Sequence, residues 1–393
     1  MDYPVFIKPQ PVGNGIEANP MISHLSATDI NSDGLQDVII ADAQFNCISL
    51  LVQNAGLQFR EIKVASDIIA PSHVQAFDFD KDGDLDILVS VLGMIFPNND
   101  KIGAVVLLLN EGSLKFTKHI IIEKIARASD VRGGDMDNDG DNDLVVAQFC
   151  YDDGETRWME NLGNLKFKSH ILQSLSGGIN CEINDFNKDG NQDIVVLISQ
   201  EWEEIYIFIN DGKGNFTTKL VYGSPNSDFG SSSVNLFDLD LDGDMDILYT
   251  NGDAFDYIPP RPRPWHGIQW LENKGDLKFE MHRLADLGGA SNARVVDVDH
   301  DGDMDIFVVS EFNLWIKPES QSFIWLENTG NMQYVKHAIS NNPTHLLTID
   351  IADFNRDGEM DFVTGGMHVY PPFDRKGRIT LWINKWPDLK VKQ

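Results

Sequence analysis

The sequence predicts an all-β chain folded as a seven-bladed β-propeller with four antiparallel strands per blade, and three observations carry that prediction. An acidic nonapeptide returns seven times along the 393 residues. Its copies start 49, 57, 50, 53, 59 and 56 residues apart, counted between their first aspartates. Each copy is followed by a β-branched apolar run and then by an aromatic-bearing strand, so the repeat reads as strands throughout; a period near fifty of that kind is a propeller blade.

The nonapeptide places Asp at position 1, Asp or Asn at 3, Asp-Gly at 5 and 6, and Asp at 9. The copies are Asp29/Asn31/Asp33/Asp37, Asp78/Asp80/Asp82/Asp86, Asp135/Asp137/Asp139/Asp143 and Asp185/Asn187/Asp189/Asp193. They continue as Asp238/Asp240/Asp242/Asp246, Asp297/Asp299/Asp301/Asp305 and Asp353/Asn355/Asp357/Asp361. Oxygens at these positions, around a sharp turn at the glycine, wrap a hard cation, with the carbonyl of position 7 as a further donor. Calcium is the expected occupant, up to seven ions in a structural role. A surface turn explains the glycine and one aspartate, but not three or four oxygen ligands at fixed offsets. An EF-hand is excluded, because its bidentate Glu at position 12 is replaced by residues such as Ile40, Val89 and Tyr249.

The elements follow in order. Strand A leads into the loop and strand B leaves it through runs such as Val38-Ile39-Ile40 and Ile306-Phe307-Val308. Strand C ends in an Asn-containing turn, as in Trp158-Met159-Glu160-Asn161, and strand D carries Phe59, Phe116, Phe167, Phe216, Phe279 or Tyr334. After the seventh loop come strand B (Phe362 to Thr364) and strand C (Ile379 to Asn384), and no further strand D. Phe6 lies 23 residues before Asp29, close to the 18 to 22 residues separating the internal aromatics from the next loop. An N-terminal strand is therefore expected to complete the last blade and remove its open edge, giving one domain over residues 1–393.

With these repeats the chain resembles the FG-GAP/VCBS family, whose calcium-bearing blades also build the head of integrin α chains. The resemblance spans residues 1 to 386 and implies a calcium-binding propeller. It implies less about activity, since adhesins, lectins, lyases and sugar dehydratases share such blades.

Formal charge is −30 with pI near 4.5, and the loops alone hold 25 carboxylates; seven dications against −30 leave −16. The acidity thus reports metal sites first and argues against nucleic acid or an anionic membrane as partner. Three cysteines, Cys47, Cys150 and Cys181, imply no disulfide framework. No apolar run approaches membrane-spanning length, so no membrane insertion is expected. No signal peptide is readable at Met1-Asp2-Tyr3-Pro4. Loops lacking the bidentate Glu bind calcium weakly, so a secreted or periplasmic monomer is expected, its export signal absent from this chain, with a cytoplasmic one as the alternative.

Strand A is innermost, so alternate residues line the channel. Positions five and three before each first Asp are His24/Ser26, His73/Gln75, Asp130/Arg132, Asn180/Glu182, Ser233/Asn235, Asn292/Arg294 and Thr348/Asp350. A water-filled channel is lined by polar groups in any case, but these differ from blade to blade and bring both signs of charge together, as a site for an anionic or polyhydroxylated ligand requires. His24, His73, Arg132, Arg294 and Asp350 are the candidate catalytic set, with Gln75 and Glu182 as ligand contacts. Neither arginine lies in a loop or core position, so replacing either is expected to spare stability. The strand B to C connections at the opposite end from the acidic loops add Tyr257, Trp265, Trp315, His368 and Tyr370 as a roof for the ligand, with Trp265, Trp315 and Tyr370 exposed. The expected function is one carbohydrate site for an acidic or oxidised sugar at the channel mouth, acting as a lyase or dehydratase with His73 as base. The alternative is a non-catalytic adhesion, protein-interaction or lectin module.

Overall fold

Alternation and turn chemistry resolve into seven four-stranded antiparallel sheets, six running A-B-C-D in chain order and the seventh taking its strand D from the N-terminal end of the chain. The computed structural model describes residues 9–385. Blade 1 is Ile22–Thr28, Asp37–Asp42, Cys47–Asn54 and Gln58–Ser66, and among the described residues there is no helix.

Strand B is buried from end to end in every blade, as in Asp193–Ile198 and Asp305–Ser310. It is covered on both faces by neighbouring blades, which is why its sequence is an unbroken apolar run rather than an alternation. The core is accordingly seven clusters, one at each junction between blades. The junction of blades 6 and 7, for example, packs Phe307, Trp325, Phe362 and Trp382.

The ring closes as expected: Gln10–Pro11 pairs antiparallel with Ile379–Trp382, Gln10 opposite Leu381 and Pro11 opposite Thr380. Phe6, on which the expectation rested, lies outside the described residues.

Every strand A carries a register shift at the same place, between Ile22 and His24 in blade 1, Pro71 and His73 in blade 2, and Leu346 and Thr348 in blade 7. The bulged residue is six before the first loop Asp: Ser23, Ser72, Ser129, Ile179, Ser232, Ser291 or Leu347. A bulge sets two successive side chains on one side of the strand, so this residue faces the channel together with the next. Four of the serines then tie their blade to the following one: Ser23 Oγ donates to the Pro71 carbonyl, Ser72 to Ala128, Ser129 to Gly178 and Ser291 to Leu346.

Candidate functional site

The acidic loops follow one hydrogen-bond plan. The first Asp accepts the N–H of the glycine at position 6, as Asp78 Oδ2 does from Gly83 at 3.2 Å, and the Asp at position 5 accepts from position 7, as Asp139 does from Asp141 at 2.8 Å. The Asp at position 9 is buried and ties its own strand B to strand C and to the start of the loop. Asp143 Oδ1 accepts from Asn161 N at 2.7 Å, while its Oδ2 accepts from Met136 N and from Trp158 Nε1. The recurring Asn at the end of strand C therefore meets the loop rather than only turning the chain.

The seven loops divide into two kinds. With Asp at position 3, the carboxylates of positions 1, 3 and 9 bring oxygens within 4.8 Å of one another: Asp78/Asp80/Asp86, Asp135/Asp137/Asp143, Asp238/Asp240/Asp246 and Asp297/Asp299/Asp305. In the same four loops the first Asp keeps a buried Oδ1 with no hydrogen-bond partner. With Asn at position 3 that oxygen is taken by the N–H of position 5: Asp29 by Asp33, Asp185 by Asp189 and Asp353 by Asp357, at 3.0 to 3.1 Å. Converging carboxylates with an unanswered lone pair are the donor set a hard dication needs, so the residues present fit calcium in four loops, whereas three satisfy themselves.

Two sets of side chains that the sequence placed on a par with positions 1 and 9 differ from them in the structure. At position 5, Asp82, Asp139, Asp242 and Asp301 are exposed and stand outside the four close groups. Each turns Oδ1 to the N–H of position 7 instead, Asp82 to Asp84 at 2.9 Å, Asp242 to Asp244 at 2.8 Å and Asp301 to Asp303 at 2.9 Å. At position 3 of the other loops, Asn31, Asn187 and Asn355 turn Oδ1 to the N–H of Asp33, Asp189 and Asp357 at 2.8 to 3.0 Å. Asn187 and Asn355 also donate Nδ2 to the position 5 carboxylates Asp189 and Asp357 at 2.9 Å. The physical reason is the amide: it brings no charge to repel the neighbouring aspartates and supplies its own donors, so the loop contracts onto itself.

All fourteen channel positions read from the sequence line one central cavity of about 240 Å³, joined by the bulge serines. Asp130 is its hub. It is fully buried and faces His73 Nδ1 at 2.9 Å and Arg132 Nη2 at 3.4 Å. It also accepts from Asn180 Nδ2 and from the Cys181 N–H across the blade junction. Burial pushes its carboxyl up, but Arg132 and His73 outweigh this and hold it at about 2. Arg132 also reaches Glu182 at 2.8 Å and the Cys181 carbonyl at 2.9 Å, and burial raises Glu182 against that pairing. Arg294 binds Asp350 at 2.8 Å together with Asn235 and Asn292. The rings of His24 and His73 lie 4.0 Å apart, and burial lowers both, His24 the further. Gln75 and Asp350 accept backbone N–H groups of the next blade, from Gly133 and Ala27. The charges of the channel are thus answered from within it.

The roof differs from expectation. Trp315 is 7% exposed and its ring lies 5.3 Å from that of His345. His368 is fully buried, accepting from Gly377 N at 3.2 Å through Nε2. Both were expected over the ligand; instead the long loops fold their own aromatics inward as local cores. Trp265 is half-buried with Nε1 donating to the Asp228 carbonyl at 2.7 Å. Tyr257 is covered by the Arg263 guanidinium 3.6 Å from its ring centre, and half-buried Tyr370 touches Phe96 and Phe312. In their place, each blade exposes a different large apolar side chain on its B to C connection: Phe45, Phe96, Tyr151, Trp202, Ile258, Ile316 and Phe373 in order. Ile258 and Ile316 are 90% and 92% exposed, and all five exposed aromatic residues among the described ones lie on these connections. The opposite end of the ring carries the acidic loops.

Fold and loops together define an acidic-looped seven-bladed propeller. Residues 29–89, 135–196 and 185–249 each match the model of the FG-GAP-like repeat, so the propeller carries FG-GAP-like repeats over these stretches. No curated protein sequence matches it significantly. Among solved structures, BBS1N in complex with ARL6DN is similar with a TM-score of 0.59 at 10% identity, over 97% of this chain and 96% of that one. The Dos1 propeller reaches 0.53 at 9% identity, over 92% and 77%. Rhamnogalacturonan lyase YesW reaches 0.47 at 12% identity, over 86% and 65%. The first two likenesses establish the fold alone, and the third is too weak to carry an argument.

Proposed function

We propose that this propeller is a calcium-stabilised binding module that engages a protein partner through the face built by its B to C connections. The observation that carries the reading is the placement of one large exposed apolar side chain from every blade on a single end of the ring. A ring of exposed apolar side chains, most of them aromatic, on one face is the composition of a protein interface and a liability on a surface left in water. That BBS1N, a propeller of similar fold, was crystallised in complex with ARL6DN agrees with this use of the architecture. Calcium belongs to the other end. Asp78, Asp80 and Asp86 and their three counterparts would hold it, and its charge would relieve the repulsion among carboxylates gathered so closely.

The expected acidic-sugar site loses support because Arg132 and Arg294 are already paired with Asp130, Glu182 and Asp350. One observation keeps a catalytic reading in view: His73 is oriented by Asp130 while its Nε2 has no hydrogen-bond partner, as a general base would be. The two readings separate in one experiment. Binding partners are captured from the native source with the calcium-loaded chain, with Ile258→Glu/Ile316→Glu, and with His73→Ala, and turnover of uronic acid oligosaccharides is followed in parallel. The interface reading expects a partner lost with the double substitution and retained with His73→Ala; a partner indifferent to both charges on the face would sink it. Turnover abolished by His73→Ala would support the enzyme.

A further inference from the structure

Above the channel, and in line with it, lies a second cavity of about 220 Å³ at the centre of the apolar face. Its walls are mostly apolar, with Leu92, Ile95, Phe149, Phe255 and Met367 contributed by blades 2, 3, 5 and 7, and its floor includes three of the bulge serines. Unlike the acids of the channel, Asp253, the one acid in its lining, forms no ion pair with a described residue. Asp253 lines the cavity, and its carboxylate accepts the N–H of Phe255 at 2.9 Å. Glu311, 3% exposed on the neighbouring blade and close enough to repel Asp253, keeps a buried Oε1 with no partner. The one cation in the lining, Arg127, commits its Nη2 to the Met94 and Ile95 carbonyls and lies over Phe149, so it braces the blade 2 connection on the other side. Burial raises both acids, Asp253 to about 6 and Glu311 well above its usual value, with no cation among the groups that act on either.

We infer that this pocket receives a lysine side chain of the protein partner, its methylene stem against the apolar wall and its ammonium at Asp253. The inference rests on the interface reading above and adds the chemistry of the partner's central contact. An aliphatic stem ending in a compact cation matches an apolar sleeve with a carboxylate and an aromatic face at its end. A half-buried carboxylate without a cation carries a desolvation cost, which an entering ammonium offsets. The position at the hub of the face is where a contact of high energy is expected, ringed by apolar groups that exclude water.

The test uses the full calcium-loaded chain and three probes: Nα-acetyl-lysine methylamide, its uncharged norleucine counterpart, and n-butylamine, each titrated calorimetrically. The lysine probe is expected to bind at least tenfold more tightly than the norleucine probe, and Asp253→Asn to abolish that preference. Glu311→Gln gives a second reading should Asp253→Asn fail to fold. Ile258→Glu/Ile316→Glu, which disables the outer face but not the pocket, is expected to leave the preference intact, so failure of the pocket and failure of the interface are told apart. Equal binding of the two amino-acid probes, or a preference that survives both Asp253→Asn and Glu311→Gln, overturns the inference. Butylamine binding tenfold more tightly than the lysine probe overturns the partner side chain as occupant in favour of a free amine.

Discussion

Arg132 joins blades 3 and 4 by holding Asp130, Glu182 and the Cys181 carbonyl at once. Its removal leaves Asp130, 1% exposed, with His73 and the N–H donors of Val131, Asn180 and Cys181 but no full positive charge. Arg132→Ala is therefore expected to cost about 3 kcal/mol in urea unfolding, against the expectation from sequence that the position is free of structural duty. An unchanged midpoint would mean that water in the channel replaces the guanidinium. A second residue-scale effect concerns pH. Burial, with His368 and Arg375 adding to it, lowers His345 to about 3, and burial lowers His368 to about 4. A folded-state value below the unfolded one means that the unfolded chain binds more protons, so their contribution is complete above pH 6.5 and is lost as pH falls from there towards 3. The loss is at most about 1.4 kcal/mol per pH unit for each group. Comparing the midpoints of wild type and His345→Gln between pH 7 and 5 should give a flatter profile for the variant.

At the level of the element, the acidic loop serves two purposes that one motif conceals. Position 9 is a backbone tether: Asp143→Ala strands three buried donors, at about 1–3 kcal/mol for each group left unsatisfied, whereas Asp139 is exposed and caps one N–H. In chelator, Asp143→Ala is expected to lower the melting temperature well beyond Asp139→Ala; similar shifts would argue against the tether. Position 3 sets the readiness for a cation. Calorimetric titration of the metal-free protein should resolve four stronger calcium sites and three weaker ones, and Asn187→Asp should move one site from the weaker class to the stronger. Seven equivalent sites would show that the self-satisfied loops open at no cost. Chelator should lower the melting temperature sharply and calcium restore it.

For the whole molecule, stability is distributed around a ring of seven junctions, and the ring is held shut by the pairing of Gln10–Pro11 with Ile379–Trp382. Val12 adds an apolar contact in the cluster between blades 7 and 1. Deleting residues 1–12 exposes the edge of the last strand, and the truncated chain is expected to aggregate on size-exclusion chromatography. A monomer with an unchanged melt would mean that the junction between blades 7 and 1 suffices. At this scale the two ends of the ring also part in character, acidic loops at one and apolar connections at the other, because A to B and B to C turns must emerge on opposite sides of an antiparallel sheet.

The sequence by itself determined the propeller, the number of blades, the loop register and all fourteen channel positions. Each of these follows from local spacing: ligands within nine residues, strands with period two, and a repeat that cannot bury its faces without a neighbour. It left a trace of the bulge serines too, in the hydroxyl six residues before five of the seven loops, but only the paired register gives that trace a meaning. Tertiary structure decided which channel charges answer one another, because Arg132 meets Glu182 and Arg294 meets Asp350 from different blades, 50 and 56 residues apart. It also decided which connection residues face water. Trp315 and Ile316 are neighbours in sequence, yet the tryptophan is buried against His345 and the isoleucine stands in solvent. Hydrophobicity alone ranks them the other way for exposure, since in an irregular connection burial is set by what the loop folds against and not by any period in the chain.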